Sequence, residues 1–308
     1  MHVHDFPPEI LLEIFVQATD SSPFETGGST VAIATSQVCR TWRTVALDYP
    51  PLWSDIRLSS GCSLSKLDRL ASRYQKRPIS IEIDGRGAED LALIHHWTFF
   101  NSLLSRCDRI CALNIIAPIH ILNLFSRALV QTWPLLHRLH LVNDFPPHAT
   151  AEEEIARKVP CWNIYNPGLF APNLKYFSLT AITPARRQYF RSLTELHIRE
   201  SGYLARFKAS DLTSFHNLQT LSIDCSPLPW IREDVDPIDT TIVSLTLKNL
   251  RPTDNPPGVL TKLLSTLRMP ALEHVAIHNL HGYLRDEFVD WLVAEAAHHP
   301  CLRSVVSE

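Results

Sequence analysis

The chain has 308 residues, of which 45% are hydrophobic and 20% charged, with a formal net charge of −3. That balance fits a globular protein with a sizeable core, and it supplies no bulk positive field to draw nucleic acid or an anionic membrane. The one apolar run near the start, Ile10–Val16, is interrupted by Glu13 and is too short for a signal peptide or a membrane span. No membrane partner and no nucleic-acid partner are therefore expected.

The first predicted element is a helix over FPPEILLEIFVQA. Pro7 and Pro8 open it, where missing amide donors cost nothing. Leu11, Ile14, Phe15 and Ala18 form the expected inward stripe, yet Ile10, Leu12 and Val16 are apolar too. A helix apolar on nearly every side requires cover on more than one side. The polar stretch 19–30 reads as a loop. A second helix is expected over Val31–Leu47, with Val38, Trp42 and Val45 on one face and Cys39 and Arg43 beside them. Tyr49-Pro50-Pro51 ends it, and Leu52-Trp53 then presents two large apolar groups. A further helix is predicted around Leu64–Gln75. The alternation in 78–84 predicts a half-buried strand that starts a sheet.

From there one pattern recurs: apolar, two others, apolar, one other, apolar. It reads Ile110/Leu113/Ile115, Leu136/Leu139/Leu141, Leu174/Phe177/Leu179, Leu193/Leu196/Ile198, Leu218/Leu221/Ile223, Ile242/Leu245/Leu247 and Leu272/Val275/Ile277. This is the signature of a leucine-rich repeat, in which each copy gives one strand to a stacked parallel sheet. Most copies begin at a spacing within or near the ~20–29 residues usual for this repeat, but the steps are uneven. The step from 136 to 174 is longer, and its segment FPPHATAEEEIARKVPCWNIYNPG (145–168) is read as a helix and loop on the outer or rim surface. Proline precedes the strand at Pro134, Pro172, Pro270 and Pro300, placed to stop a helix and turn the chain. A helix near Arg285–His298 leads to a partial eighth strand at Leu302, with no polar capping repeat after it. The fold class is thus α/β: a short helical domain over 1–58, then an irregular solenoid with a parallel sheet over 59–308.

Nothing in the chain points to catalysis. Neither a nucleophile elbow, a phosphate loop nor HExxH occurs, and nine glycines leave little material for phosphate-cradling loops. The seven cysteines are odd in number and form no CxxC pair, which favours free buried thiols in a reducing compartment, cytoplasm or nucleus. Cys107 and Cys111, four apart at a helix end, lack a second pair at zinc spacing. The adjacent pairs His95-His96 and His298-His299 point to different faces. No metal and no cofactor is expected. Arg186-Arg187 with Tyr189 reads as a solvated turn. Residues between the inward apolar positions face the open side of the sheet. They include His140, Tyr176, Ser178, Glu195, His197, Arg199, Thr220, Ser222, Asp224, Thr246, Lys248, His274 and His278. This face reads equally as solvated or as substrate-binding. In the second case His140, Tyr176, Glu195, His197, Arg199, Asp224, Lys248 and His278 are the candidates.

The first block resembles an F-box. FPPEILLEIF (6–15), VCRTWRTVA (38–46) and YPPLW (49–53) place Pro7, Glu9, Ile10, Val38, Cys39, Trp42, Arg43, Leu52 and Trp53 on the motif positions of that family. Three separated submotifs occur in the right order. Phe6 stands where the family has Leu, and the loop between the first two helices is long. Together with the repeats, the chain is similar to the F-box-like leucine-rich proteins abundant in mushroom-forming fungi. The resemblance implies a substrate-recognition subunit of a SKP–cullin–F-box ubiquitin ligase, not an enzyme in its own right. Its F-box would dock a Skp-family adaptor, and through it a cullin. Its repeats would bind the protein to be ubiquitinated. The adaptor-binding residues so implied are Phe6, Pro7, Pro8, Glu9, Ile10, Leu11, Ile14, Phe15, Val38, Cys39, Trp42, Leu52 and Trp53. The alternative is an interaction module whose F-box-like segment only caps the solenoid.

Overall fold

The computed structural model describes residues 6–20, 28–59, 77–85, 105–117, 122, 132–143, 171–180, 192–199, 212, 215–224, 238–250, 257–280, 282–295 and 301–307. The chain divides into two compact units, 1–136 and 137–308. Both mix α-helices with parallel strands. The helix expected over 64–75 and the helix and loop expected over 145–168 lie outside the described residues.

The first unit opens with helix α1, Pro8–Asp20. The Pro7 carbonyl accepts from the amides of Ile10 (3.1 Å) and Leu11 (3.2 Å), so the helix starts where the prolines allow it. The single second helix expected over 31–47 is two helices, α2 (Gly28–Val38) and α3 (Arg40–Asp48). Cys39 breaks them. Its backbone is extended (φ −157°, ψ 177°), and its sulfur accepts from the Trp42 amide at 3.5 Å, capping α3. The apolar stripe runs across the break, which is why periodicity does not reveal it. A 3-10 turn, Pro50–Trp53, leads directly into a strand, β1 (Asp55–Ser59).

β1 corrects the expectation that the sheet starts at 78–84. It pairs in parallel with β2 (Ile79–Asp84), the strand expected there, and β2 pairs in parallel with β3 (Ile110–Ala117). Ile56, Ile81 and Leu113 stand in one register column, all buried. The boundary at 58/59 therefore falls at the end of β1, inside this unit. At the end of β2, the Gly85 amide donates to the Ile116 carbonyl at 2.6 Å, and a Cβ there would stand 3.0 Å from that of Ala117. A side chain would push the strands apart.

The second unit contains β4 (Arg138–Asn143), β5 (Tyr176–Thr180), β6 (Glu195–Arg199), β7 (Thr220–Asp224), β8 (Ile238–Asp239), β9 (Ser244–Lys248), helix α4 (Val259–Thr266), β10 (Leu267–Arg268), β11 (His274–His278), helix α5 (Tyr283–Glu295) and β12 (Ser304–Ser307). The strands β4, β5, β6, β7, β9, β11 and β12 pair in that order, all parallel. β8 and β10 form a separate short parallel pair.

The recurring apolar spacing explains the register. Leu139, Phe177, Leu196, Leu221, Leu245 and Val275 are aligned strand to strand and fully buried. Each strand is entered alike: one carbonyl accepts from two successive amides of the next strand, as His137 does from Lys175 and Tyr176, and Val243 from Glu273 and His274. The prolines act one step earlier than a plain helix stop. Pro134, Pro172 and Pro270 occupy the second position of four-residue turns closed by Leu136→Trp133, Leu174→Ala171 and Leu272→Met269 bonds of 3.0–3.3 Å. That position suits the fixed φ of proline. Both turn ends are apolar and buried, so each turn also fills the core.

Candidate functional site

Two surfaces carry the candidate residues, one in each unit. The first is built on α1. Leu11 and Phe15 are fully buried, and the Phe15 ring meets that of Trp42 at 5.0 Å between centroids. One position earlier on the helix, Ile10 and Ile14 remain 48% and 45% exposed. The inward stripe expected from periodicity is thus corrected: Ile14 and Ala18 face outward. Both stripes are apolar, so spacing alone could not tell the inner from the outer.

Leu52 and Trp53 are also core residues. The Trp53 indole is enclosed and donates to the Ala46 carbonyl at 2.8 Å, tying the 3-10 turn to α3. The expectation that they present apolar groups to a partner is corrected accordingly; with Leu11 and Phe15 they hold the helices together. Cys39 and Trp42 are half-buried at the α2–α3 corner, and Arg43 donates to the Ser36 carbonyl at 2.8 Å across it. On the surface remain Pro7, Pro8, Glu9, Ile10, Ile14 and Val38, with Phe6 partly covered. Leu47, in the last turn of α3, is a further exposed apolar residue that the motif reading missed. It sits one position before Asp48, and only its uncovered side chain reveals it.

Residues 3–59 match the F-box-like family. The chain therefore carries an F-box-like domain spanning α1, α2, α3, the 3-10 turn and β1. No curated protein matches the chain.

The second surface is the outer face of the β4–β12 sheet. His140, Ser178, His197, Ser222 and Thr246 form its central register column. This column is more covered than a solvated face would be: Ser178 and Ser222 are buried, and His140, His197 and Thr246 half-buried. Ser178 Oγ has no hydrogen-bond partner among the described residues. Next to it lies a stacked group. Arg138 sits over the Tyr176 ring at 4.6 Å, Tyr176 stands 4.9 Å from His197, and His197 Nε2 lies 4.0 Å from Glu195. Tyr176, Glu195 and His197 were expected here. Arg138 was not, although it occupies the same pattern position as Tyr176.

At the far ends of the strands, Asp224 accepts from the Asn249 amide group at 2.6 Å, and Asn249 in turn accepts from Asn279 at 3.0 Å. Both asparagines have positive φ (54° and 57°), a conformation their short polar side chains tolerate. Lys248 and His278 precede them, half-buried. The structure therefore separates the candidates into a group around Tyr176 and His197 and a group at Asp224, Lys248 and His278. Arg199 ends β6, and its side chain lies outside the described residues.

Two remaining candidates concern chemistry. Cys111 lies in β3, not at a helix end, and its thiol donates to the Ile79 carbonyl at 3.4 Å. Burial raises the pKa of both Cys107 and Cys111 above 9.0, so they stay protonated at neutral pH. Among the described residues no group of three potential ligands converges on a metal, and no helix is long and apolar enough to cross a membrane. His95-His96, Arg186-Arg187 with Tyr189, and His298-His299 lie outside the described residues.

Proposed function

We propose that this protein is the substrate-recognition subunit of a SKP–cullin–F-box ubiquitin ligase, acting in the cytoplasm or nucleus. The observation that carries the reading is the uncovered apolar stripe Ile10/Ile14 on the first helix of the F-box-like domain. A helix with one apolar stripe in its own core and a second in water suits a partner that covers the second. A Skp-family adaptor would take that stripe and bring the cullin. The regular parallel ladder of the second unit supports reading it as a leucine-rich-repeat solenoid. Its outer face, around Arg138, Tyr176, Glu195 and His197, would hold the protein to be ubiquitinated. The chain would do no bond chemistry. It would raise the effective concentration of substrate beside a ubiquitin-charged enzyme.

One observation favours a second reading. β1 belongs to the F-box-like segment yet pairs along its whole length with β2, so the segment also caps the sheet of its own unit. The two roles use different residues: Leu52, Trp53 and Ile56 are buried for the cap, while Ile10 and Ile14 are exposed. Binding of a purified Skp-family adaptor tests the proposal. The wild-type chain should bind, and Ile10→Asp with Ile14→Asp should not; absence of wild-type binding would leave the capping role alone.

A further inference from the structure

The outer face of the second unit is unevenly supplied with charge. At their starts, β4, β5 and β6 turn Arg138, His140, Tyr176, Ser178, Glu195 and His197 to it. Arg138 and Glu195 are the charged pair among them, and they are not treated alike. Glu195 has a neighbour, with His197 Nε2 at 4.0 Å. Arg138 is exposed, and among the described residues no carboxylate pairs with it. What holds it is the Tyr176 ring, whose centroid lies 4.6 Å from the guanidinium carbon. That attraction is between charge and ring quadrupole, so the five N–H donors of the guanidinium remain unspent. From the strand on its other side, Tyr176 is held by His197, with ring centroids 4.9 Å apart. Tyr176 Oη makes no hydrogen bond among the described residues. A guanidinium and a phenolic O–H thus share one half-buried ring, both with donors to spare.

Unspent donors fixed in place call for an acceptor of opposite charge. A carboxylate fits, because a guanidinium can hold its two oxygens through parallel N–H···O bonds. The ring contact already restricts the arginine side chain, so less freedom is lost when a ligand arrives. A phosphate dianion fits less well. It is recognised by clusters of arginines, and here one guanidinium stands on a face that also carries Glu195. Glu195 is two strands from Arg138, about 10 Å at the usual strand spacing. It is too far to compete for the guanidinium and close enough to repel a second negative charge. The surroundings are polar as well. Ser178, the next position along β5 on this face, lies in register between His140 and His197, and its buried Oγ has no hydrogen-bond partner among the described residues. No apolar residue joins the group, so it offers no seat to a hydrophobic anchor.

We propose that Arg138 and Tyr176 bind one carboxylate side chain of the protein to be ubiquitinated, so that this surface selects a segment carrying a single Asp or Glu. The proposal rests on reading the outer face as the substrate-binding surface. Arg138 grips the carboxylate. Tyr176 holds the guanidinium in place and adds its own O–H. Glu195 disfavours a second acidic residue beside the first.

An array of short random peptides probed with the 308-residue chain, followed by fluorescence-anisotropy titration of the best binders, tests this. Peptides held by the wild type should share one Asp or Glu. Changing that residue to Asn or Gln should weaken binding about tenfold or more, and so should Arg138→Gln. Both changes together should cost no more than either alone, because they remove the same contact. Arg138→Glu should turn the preference towards peptides bearing Lys or Arg. Arg138 is exposed, so these variants leave the inner column intact, and circular dichroism checks that each is folded. An acidic preference that survives Arg138→Gln would overturn the proposal, as would tighter binding of phosphoserine than of Asp at the shared position. Peptides without acidic preference that are lost with Tyr176→Leu or His197→Ala would overturn the carboxylate site alone and leave the outer face as the substrate surface. Peptides indifferent to all these variants, or no bound peptide at all, would overturn that reading too.

Discussion

Adjacent residues on α1 should separate folding from docking. Leu11 is fully buried, and Leu11→Ala should destabilise the first unit by ~2–5 kcal/mol, the cost of a Leu-sized cavity in a core. Ile10 is 48% exposed. With half its surface already in water, its loss removes only about 1 kcal/mol of burial, and Ile10→Asp should leave the thermal midpoint close to wild type. Binding should show the reverse contrast. As a central apolar anchor, Ile10→Asp should cost ≳2 kcal/mol, roughly a 30-fold loss of affinity for a Skp-family adaptor. Thermal unfolding gives the first quantity and calorimetric titration with purified adaptor the second. If Ile10→Asp unfolds the chain as readily as Leu11→Ala, the inner and outer stripes are misassigned. If it folds normally and binds with unchanged affinity, α1 is not the docking helix.

Other consequences follow from the same geometry. Leu196→Asp places an unpaired charge in the inner column and should cost several kcal/mol; Glu195→Gln, one residue away on the exposed face, should stay within about 0.5 kcal/mol in urea unfolding. Arg138→Ala should lose the contact with the Tyr176 ring, ~0.5–1 kcal/mol at such a site, and should weaken substrate capture more than it lowers stability. The Cys107 and Cys111 pKa values are raised by burial above 9.0. Folding then favours the protonated thiols, so their contribution is complete below pH 9 and is lost as pH rises through the higher folded values. Urea midpoints at pH 8 and pH 10 should therefore fall further apart in wild type than in Cys111→Ser; an equal fall in both would show that the thiol titrates as if unfolded.

Much of the second unit was legible because a period-two strand leaves little choice of face. Once Leu196 and Ile198 are inward, His197 must be outward, and parallel register follows from repeating the spacing. What escaped the sequence has local causes. β1 is only five residues, and its two apolar positions, Ile56 and Leu58, lie hidden behind the larger signal of Leu52-Trp53. The break at Cys39 is a backbone event within an unbroken apolar stripe. The orientation of α1 is ambiguous because both its stripes are greasy, and only the packing of Phe15 on Trp42 resolves it. For the sheet face, the sequence shows which residues point outward but not which ones meet. The stacking of Arg138, Tyr176 and His197 depends on strand register and side-chain length, and so does the Asp224–Asn249–Asn279 chain.

The most direct measurement is affinity purification from the native cell, followed by mass spectrometry, of the wild-type chain beside the Ile10→Asp/Ile14→Asp variant. A substrate-recognition subunit should retain a Skp-family adaptor and a cullin in the wild type and lose both in the variant, while candidate substrates held by the second unit persist. Recovery of neither ligase component with the wild type, or equal recovery with both chains, would contradict it.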